Sequence, residues 1–419
     1  MQLASPATHG LSVVDATGKA LPAQIVSQNE KTGSYKLLIA PGQIPSLGYK
    51  ILHVVEGSKP TASDLKAEGL TLENARLKLT VDGKNGCITS LYDKQSHFES
   101  LAPGACGNQL QGFKDTPKDY DAWNIDPGTL DHFTAIEAVD SVELVEKGPM
   151  RAAIRVTRHW QSSKFTQLIT LASASDQAEI INDIDWHETH LLLKAAFPLA
   201  ATAAQATYEV PYGAINRPTT RNNSWEKAQF EVPALRWAEL GDGKHALALI
   251  NNDKYGYDDE GNQLRLSLLR SPIWPDPVAD RGQQHISYAL YPHAGDWKQA
   301  LTVRHGYEYN YPLAALQVSS HSGELPAEHA YLTVAPENVV LTALKKAEDS
   351  DGLIFRVYEW AGKASKVTIH LPKGATSATV TNMMEKPEGE PIPVTNDAVT
   401  LPITPYQILT FCVSYPKQK

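Results

Sequence analysis

The sequence predicts an all-β protein built from antiparallel sheets. Short runs of alternating apolar and polar residues recur along it, and Gly, Pro, Asn and Asp residues that favour turns separate them. Long amphipathic helical patterns are scarce, and the gaps between successive strand-like runs supply no crossover helix. A parallel sheet needs such crossovers, so the α/β class is excluded. At 419 residues the chain is too long for one ordinary core, which predicts two or three domains.

The first block, residues 1–59, has strand-like alternation in LSVVDATGKALPAQIVS and SYKLLIAPGQIPSLGYKILHVV. It is too short for a stable sandwich of its own and is interpreted as the remnant of a small β-domain. Residues 60–69 are predicted to be a linker or one marginal helical turn. The N-terminus lacks the basic and apolar regions of a secretion signal, so either the protein stays in the cytosol or the chain does not start where its gene does.

A central domain is predicted over residues 70–312. It opens with LENARLKLTVDGKNGCITSLYDK, in which two alternating runs flank an Asp-Gly-Lys-Asn-Gly turn. These turn residues tolerate positive φ, which makes the segment a strong hairpin signal. Further strands are predicted within 142–146, 150–160, 165–172 and 179–186, at the spacing of antiparallel sandwiches. Shorter strands punctuated by Pro and Gly then predict a small terminal β-sandwich over residues 313–419.

Composition and charge exclude several classes of function. The chain is 42% hydrophobic and 20% charged, as in soluble globular proteins. Its longest apolar run, ALALI at 246–250, is far shorter than the roughly 18 residues of a membrane span. The formal net charge of −9 comes without a basic stripe, which argues against nucleic acid as a ligand because Lys and Arg contacts to phosphates dominate that affinity. A neutral or small ligand is favoured.

The cysteines and histidines do not match a metal-binding motif. Cys87, Cys106 and Cys412 are an odd set without CxxC spacing, and buried reduced thiols are favoured over a disulfide or a metal site. His187 and His190 in DWHETH have HExH rather than HExxH spacing, and on a strand they would point to opposite faces. They are interpreted as a structural strand end. GxSxG, Walker and GxGxxG motifs do not occur in the sequence either.

One candidate binding segment is the Pro- and Gly-rich KDTPKDYDAWNIDPGTLDHF. A glycosidase needs two carboxyl groups beside a surface that holds the sugar, and this segment offers carboxylates together with aromatic rings. Its members are Asp119, Tyr120, Asp121, Trp123, Asp126 and Asp131. The alternative is an Asp-rich surface loop whose side chains bond the nearby backbone.

A second candidate segment lies within residues 208–293, where aromatic, arginine, amide and carboxylate side chains recur between short β-like runs. Flat rings can stack on sugar faces while amides, Arg and Asp bind hydroxyls. The candidates here are Arg217, Arg221, Asn222, Asn223, Trp225, Glu231, Arg236 and Trp237. The alternative is a long loop that bonds its own backbone and whose tryptophans cover a sheet. DKYGYDDEGN at 253–262 lacks calcium-loop spacing, and a hairpin turn accounts for it.

Six segments in chain order are similar to those of one enzyme family. They are LENARLKLTVDGKNGCITSLYDK, DYDAWNID, DWHETHLLLKAAFP, RPTTRNNSWEKAQFEVPALRWAEL, NNDKYGYDDEGNQLRLSLLRSPIWPDP and HISYALYPH. Together they resemble the C-terminal half of a glycoside hydrolase family 38 α-mannosidase of the cytosolic and bacterial type. The resemblance implies a small sandwich remnant, a large central supersandwich of the kind shared with mutarotase-like proteins, and a small terminal sandwich.

The resemblance also implies partners that this chain lacks. In the family, an N-terminal barrel carries zinc, the Asp nucleophile and the acid/base carboxylate of a retaining mechanism, and a helical bundle joins it to the β half. The barrel's His-x-Asp zinc motif does not occur in this sequence. We therefore expect a cytoplasmic fragment that has no cofactor of its own and is inactive alone. Its expected partners are the barrel and helical domain and mannose-containing glycans, and an uncovered apolar face would favour homo-oligomers.

By segment match, nine residues are expected to line the substrate cleft. Trp123 or Tyr120 is predicted to stack on the sugar, while Asp121 and Arg221 bind hydroxyls. The full set is Tyr120, Asp121, Trp123, Asp126, Arg217, Arg221, Asn223, Trp225 and Glu231. Two alternatives stay open. One is a self-contained carbohydrate-binding module, and the other is a mutarotase- or lyase-like enzyme that uses His132 or His293 with a carboxylate.

Overall fold

The computed structural model describes residues 2–4, 10–29, 31–57 and 61–416, and most of its regular elements are β-strands. The strands are β1 (Gln2–Ala4), β2 (Leu11–Asp15), β3 (Ala20–Leu21), β4 (Ala23–Asn29), β5 (Ser34–Ile39), β6 (Gly48–Lys50), β7 (Leu52–Glu56), β8 (Lys66–Glu68), β9 (Thr71–Glu73), β10 (Leu77–Val81), β11 (Ile88–Asp93), β12 (Phe98–Glu99), β13 (Gln109–Lys114), β14 (Thr134–Ala135), β15 (Ser141–Lys147), β16 (Arg151–Trp160), β17 (Ser163–Ala172), β18 (Ala178–Trp186), β19 (Leu191–Pro198), β20 (Gln205–Val210), β21 (Gly213–Pro218), β22 (Val232–Pro233), β23 (Trp237–Gly241), β24 (His245–Asn251), β25 (Gly256–Glu260), β26 (Gln263–Arg270), β27 (Gly282–Ala294), β28 (Glu328–Ala330), β29 (Thr333–Ala335), β30 (Val339–Lys346), β31 (Leu353–Glu359), β32 (Ser365–His370), β33 (Ser377–Thr381), β34 (Pro387–Ile392), β35 (Ala398–Ile403) and β36 (Ile408–Ser414).

Helices are few in the described part of the chain. They are a 3-10 turn at Thr129–Asp131 and the α-helices α1 (Ser224–Lys227) and α2 (Thr302–Asn310). The predicted all-β class is confirmed, and the pairs of neighbouring strands run antiparallel. No described helix is both long enough and apolar enough to cross a membrane. Residues 1 and 5–9 of the N-terminal segment, and Pro60 of the predicted linker, lie outside the described residues.

Contacts divide the chain into two units. The first comprises the described residues of 1–6, 22–39 and 60–317, and the second those of 7–21, 40–59 and 318–419. Residues 1–59 therefore contribute strands to both units. The domain boundaries derived from the sequence stay a prediction.

The first unit is built around a nine-stranded sheet and a six-stranded sheet. Their orders are β15-β16-β17-β18-β27-β24-β23-β20-β21 and β14-β13-β19-β26-β25-β22. Both sheets contribute apolar side chains to one core, with Ile154, Phe165 and Ile180 from the larger and Leu193 and Leu266 from the smaller. The alternation predicted for β16, β17 and β18 is thus confirmed, because every second side chain on these strands enters the core.

The predicted hairpin at the start of the central domain is also confirmed. Strands β10 and β11 pair from Leu77↔Asp93 to Val81↔Ile88 across the Asp-Gly-Lys-Asn-Gly turn. A second predicted turn, at 260–262, joins β25 to β26, whose last pair is Glu260↔Gln263. This second hairpin matters for the site, because it places Asp258 opposite Arg265.

The second unit has its own sandwich core. Sheets β29-β32-β35 and β30-β31-β36-β33-β34 share a buried apolar cluster in which the rings of Phe355 and Phe411 stack with centroids 5.2 Å apart. The small β-sandwich predicted at the C-terminal end is therefore present.

The prediction of reduced cysteines is wrong for two of the three. Cys87 and Cys106 form a disulfide, with Cα atoms 5.0 Å apart. Ile88 and Gly107 form an antiparallel bridge, and this pairing sets the two preceding cysteines side by side. Cys412 remains a half-buried free thiol, and burial raises its pKa.

The segment 60–69 is not simply a linker. Its residues Lys66–Glu68 form β8, which pairs with β9 at the edge of a five-stranded sheet. The strand was missed because a three-residue polar edge strand has too few positions to show alternation.

Candidate functional site

The loop over residues 118–126 is held in place by Arg270 at the end of β26. Its guanidinium donates hydrogen bonds to the backbone carbonyls of Asp121 (2.7 Å), Ala122 (2.8 Å) and Asn124. It also pairs with the buried carboxylate of Asp115. Such charge-assisted bonds are about twice as strong as neutral ones, so the loop has one fixed conformation.

Two of the candidate carboxylates of this loop, Asp121 and Asp126, are hydrogen-bonded to protein groups. One oxygen of Asp121 accepts the backbone N–H groups of Ile273 (2.7 Å) and Trp274 (3.1 Å) and lies 3.3 Å from His190 Nε2. Burial disfavours the charged form, but these bonds outweigh it and lower the pKa of Asp121. Asp126 accepts from the N–H of Lys118 (2.8 Å) and the amide of Asn124 (2.6 Å). Both carboxylates therefore orient the loop.

The fixed loop presents an exposed pair of tryptophans. The Trp123 and Trp274 rings meet edge to face, with centroids 5.2 Å apart and planes at 69°, and the two residues are 66% and 56% exposed. We call this pair the aromatic platform. Tyr120, which precedes Trp123 in the same loop, is 71% exposed, and its carbonyl oxygen accepts a hydrogen bond from the N–H of Trp123. Trp274 was not among the predicted site residues, although its place between prolines in SPIWPDP was a usable signal of an exposed turn.

A third exposed tryptophan, Trp225, lies on a short capped helix. Asn223 is the N-cap of α1, and its side-chain oxygen accepts the N–H of Glu226 at 3.0 Å. The Glu226 carboxylate in turn accepts from Asn222 N–H (2.7 Å) and the Thr220 hydroxyl (2.8 Å). This bonding differs from a capping box in one respect, because Glu226 accepts the N–H of the residue before the N-cap and not that of the N-cap itself. It fixes the turn that holds Trp225, which is 83% exposed.

The predicted arginines of this segment lie near a buried acid. Arg221 donates to the carbonyl oxygen of Asp259 at 3.0 Å, and the Arg217 guanidinium lies 4.8 Å from the centroid of the Tyr208 ring. Both carboxylate oxygens of Asp259 are buried without a hydrogen-bond partner. Burial, together with the neighbouring charge of Asp258, raises the pKa of Asp259 to about 8.

Glu231 belongs to a buried ionic network on the outer face of the six-stranded sheet. The ammonium group of Lys194 is fully buried between Glu231 and Asp258, with 2.6 Å to Asp258 Oδ2. Arg265 Nε donates to the other oxygen of Asp258 at 2.6 Å. We call Lys194, Glu231, Asp258 and Arg265 the four-charge network. Its two cations and two anions balance, which is how charges are tolerated away from water.

The histidines of DWHETH have separate acidic partners. His187 Nε2 lies 3.0 Å from Asp185 Oδ1, whereas His190 faces Asp121. Within the described residues, no group of three or more His, Cys, Asp or Glu side chains could hold a metal ion. The residues of the described chain therefore do not fit zinc.

One candidate acid–base pair for a mutarotase- or lyase-like reaction, His293 with Glu239, is closed to a substrate. His293 Nε2 lies 3.0 Å from Glu239 Oε2, but the two side chains are only 5% and 4% exposed. Thr302, at the start of α2, donates to the same carboxylate oxygen. Burial disfavours the charged imidazole, yet Glu239 outweighs it and raises the pKa of His293. His132 is exposed and follows the 3-10 turn.

Two family profiles match this sequence. The profile of the glycosyl hydrolases family 38 C-terminal domain matches residues 72–278, and that of the family 38 C-terminal beta sandwich domain matches residues 338–411. The chain belongs to glycosyl hydrolase family 38. The resemblance drawn from six sequence segments is thereby confirmed.

Curated relatives of this family 38 chain are longer proteins. It is 31% identical over 422 residues to alpha-mannosidase 2C1 of Homo sapiens, an alignment that covers 97% of this chain and 40% of the relative. It is 32% identical over 305 residues to alpha-mannosidase G of Dictyostelium discoideum, covering 71% of this chain and 28% of the relative. The chain thus spans about two fifths of the human protein's length.

A solved structure shares the fold of the family 38 chain. An alpha-mannosidase from Enterococcus faecalis V583 superposes with a TM-score of 0.78 over 97% of this chain and 51% of that one. Sequence identity in this superposition is 18%, so the likeness establishes the β architecture and not the chemistry.

Proposed function

We propose that this chain is the C-terminal β portion of an α-mannosidase, which completes the substrate cleft and binds carbohydrate there. The observation that carries the proposal is the alignment of 97% of the chain with a protein named alpha-mannosidase. The aligned relatives extend well beyond the matched region, which supports an N-terminal catalytic domain as the partner. Zinc and both catalytic carboxylates are proposed to lie in that domain. The formation of homo-oligomers stays a prediction.

The aromatic platform supports the carbohydrate-binding part of this proposal. An exposed tryptophan ring keeps its apolar surface in contact with water until a ligand or a partner covers it. Such rings stack well on the apolar faces of sugars. Trp123, with Tyr120, is proposed to contact mannose, and Asp121 and Arg221 remain predicted ligands of hydroxyl groups. Their bonds to backbone groups hold both side chains in fixed orientations.

The isolated chain is expected not to hydrolyse 4-nitrophenyl α-mannoside, with or without added zinc. The physical reason is that the nucleophile and the acid/base carboxylate are proposed to lie in the barrel, and that no group of three or more His, Cys, Asp or Glu side chains among the described residues could hold a metal ion. Release of nitrophenolate is the measurement, and the longer enzyme that contains the barrel is the positive control. Zinc-dependent turnover by the pure chain would contradict the proposal.

The platform also favours a second candidate, a self-contained carbohydrate-binding module. The two functions differ in what the chain does without the barrel. A module should release heat with α-mannobiose in calorimetry, and Trp123→Ala should abolish that heat. If the chain instead forms a wall of the substrate cleft, α-mannoside hydrolysis should occur only when it is joined to the barrel. Trp123→Ala should then raise the KM of that hydrolysis.

We propose a cytoplasmic location from the resemblance to the cytosolic type of the family. The Cys87–Cys106 disulfide is the observation against it, because cytosolic thiols are kept reduced. Maleimide alkylation of protein denatured directly from cells without reductant, followed by mass measurement, distinguishes a reduced from an oxidised Cys87–Cys106 pair. Labelling of all three cysteines is expected in the cytoplasm, and labelling of Cys412 alone would place the protein in an oxidising compartment.

A further inference from the structure

A cavity of about 400 Å³ lies on the outer face of the six-stranded sheet. Leu192 of β19, Leu269 of β26 and Ile125 of the 118–126 loop give it apolar walls, and the half-exposed Tyr255 is part of the lining. Pockets for small molecules range from about 300 to 1,000 Å³ and combine apolar walls with a few fixed polar groups. The size and the walls of this cavity match that description.

Glu231 supplies the fixed polar group. It is the member of the four-charge network that lines the cavity, and its side chain keeps 16% exposure while Lys194 is fully buried. One carboxylate oxygen is held by Lys194 and the other accepts the hydroxyl of Ser267 at 2.7 Å. Ionised carboxylates have further lone pairs to offer, so Glu231 is a pre-oriented acceptor at the cavity wall.

Gly256 preserves the space that this arrangement needs. A Cβ atom at this position would lie 2.8 Å from Glu231 Oε1 and 2.9 Å from the Cβ of Ser267. Both distances are shorter than a van der Waals contact, so any side chain here would displace the Glu231 carboxylate from Ser267. The reason for glycine here is the close approach of the two side chains.

Charge determines which ligands suit the cavity. Among the described residues that line it, Arg270 is the one cation, and its guanidinium is occupied by Asp115 and by loop carbonyls. The other charged lining groups are the carboxylates Glu231 and Asp280. The cavity therefore repels anions and favours ligands that donate hydrogen bonds, and its apolar walls favour a ring with an apolar face.

We propose that this cavity, whose lining does not include Trp123 or Trp274 of the aromatic platform, is a second sugar-binding site of the chain and that it takes a neutral hexose unit. Sugar hydroxyls donate to Glu231, and the apolar face of the ring packs on Leu269 and Tyr255. The choice of a sugar over another neutral hydroxylated ring rests on the proposed function.

The test is titration of the full chain with methyl α-mannoside, followed by NMR. Glu231→Gln keeps the shape but weakens the acceptor, Gly256→Ala displaces the carboxylate, and Tyr255→Ala removes an exposed wall. Each is expected to weaken binding by about tenfold, which corresponds to about 1.4 kcal/mol. Glu68→Gln and Tyr311→Ala are matched controls on exposed residues, and thermal unfolding of every variant checks that it is folded.

Two outcomes would overturn the inference. One is that folded Tyr255→Ala and Glu231→Gln proteins bind the sugar as tightly as wild type while Trp123→Ala loses binding, which would leave the platform as the site. The other is that wild type binds no methyl α-mannoside at saturating concentration. The proposed mannosidase role is decided separately, by hydrolysis of the aryl mannoside with the barrel present.

Discussion

Replacing Lys194 with methionine should lower the free energy of unfolding of the first unit by about 3–5 kcal/mol, the usual cost of breaking a buried ion pair. The methionine fills similar space but removes the charge between Glu231 and Asp258, whose carboxylates would then face each other in a water-poor site. Arg265 would still compensate Asp258, so Glu231 would carry the unpaired charge. Urea unfolding at pH 7, followed by tryptophan fluorescence, is the measurement. Of the eight tryptophans, only Trp360 belongs to the second unit.

Lys164→Met is the matched control for this experiment. Lys164 lies within β17 but its side chain is exposed, so its loss should change stability by no more than about 0.5 kcal/mol. If the Lys194 and Lys164 variants unfold at the same urea concentration, the four-charge network contributes nothing to stability and the account of the outer face is wrong.

Replacing Asp259 with asparagine should stabilise the protein, and the gain should grow with pH. The pKa of Asp259 is about 8 in the folded chain and about 3.9 in an unfolded one. Between these values the folded state binds a proton that the unfolded state has released, so wild-type stability falls as pH rises from about 4 to about 8. Asparagine cannot ionise. The variant should therefore match wild type near pH 4 and exceed it by about 2–5 kcal/mol at pH 8.5.

Asp258→Asn is the control from the adjacent residue. Asp258 has two cationic partners, Lys194 and Arg265, so its neutralisation should destabilise the chain at pH 5 as well as at pH 8.5. Urea unfolding of both variants at the two pH values is the measurement. A difference between Asp259→Asn and wild type that does not change with pH would show that Asp259 titrates normally in the folded protein.

The strands of the larger sheet could be predicted from the sequence because their signal is local. In β17, Phe165, Ile169 and Leu171 fall on one face and Lys164, Thr166 and Thr170 on the other, and this period of two indicates a half-buried strand. Helix α2 was not foreseen because TVRHGYEYN contains glycine and aromatic residues of modest helix propensity. Packing contacts stabilise it, such as the bond from the Asn310 amide to the carbonyl of Asn251.

The candidate site was predictable only in part. The exposed Trp123 and Trp225 were identified, since tryptophans in polar loops are unusual. The sequence does not predict the four-charge network, because its members lie far apart in the chain, at positions 194, 231, 258 and 265. One signal was available, the lysine within the apolar run LLLKAAFP, since a lysine on a buried strand needs a carboxylate partner. The identity of that partner depends on strand pairing, which the sequence does not specify.

The four-charge network also limits how this sheet can change during evolution. A neutral replacement at any one of its positions leaves a buried charge at another without its partner, so we expect single substitutions there to be rare and coordinated ones to be tolerated. Homologues should therefore either keep the set together or have lost it together, with apolar residues in its place. Gly256 should be kept or replaced together with the network, because glycine is no longer required there once Glu231 and Ser267 have been replaced.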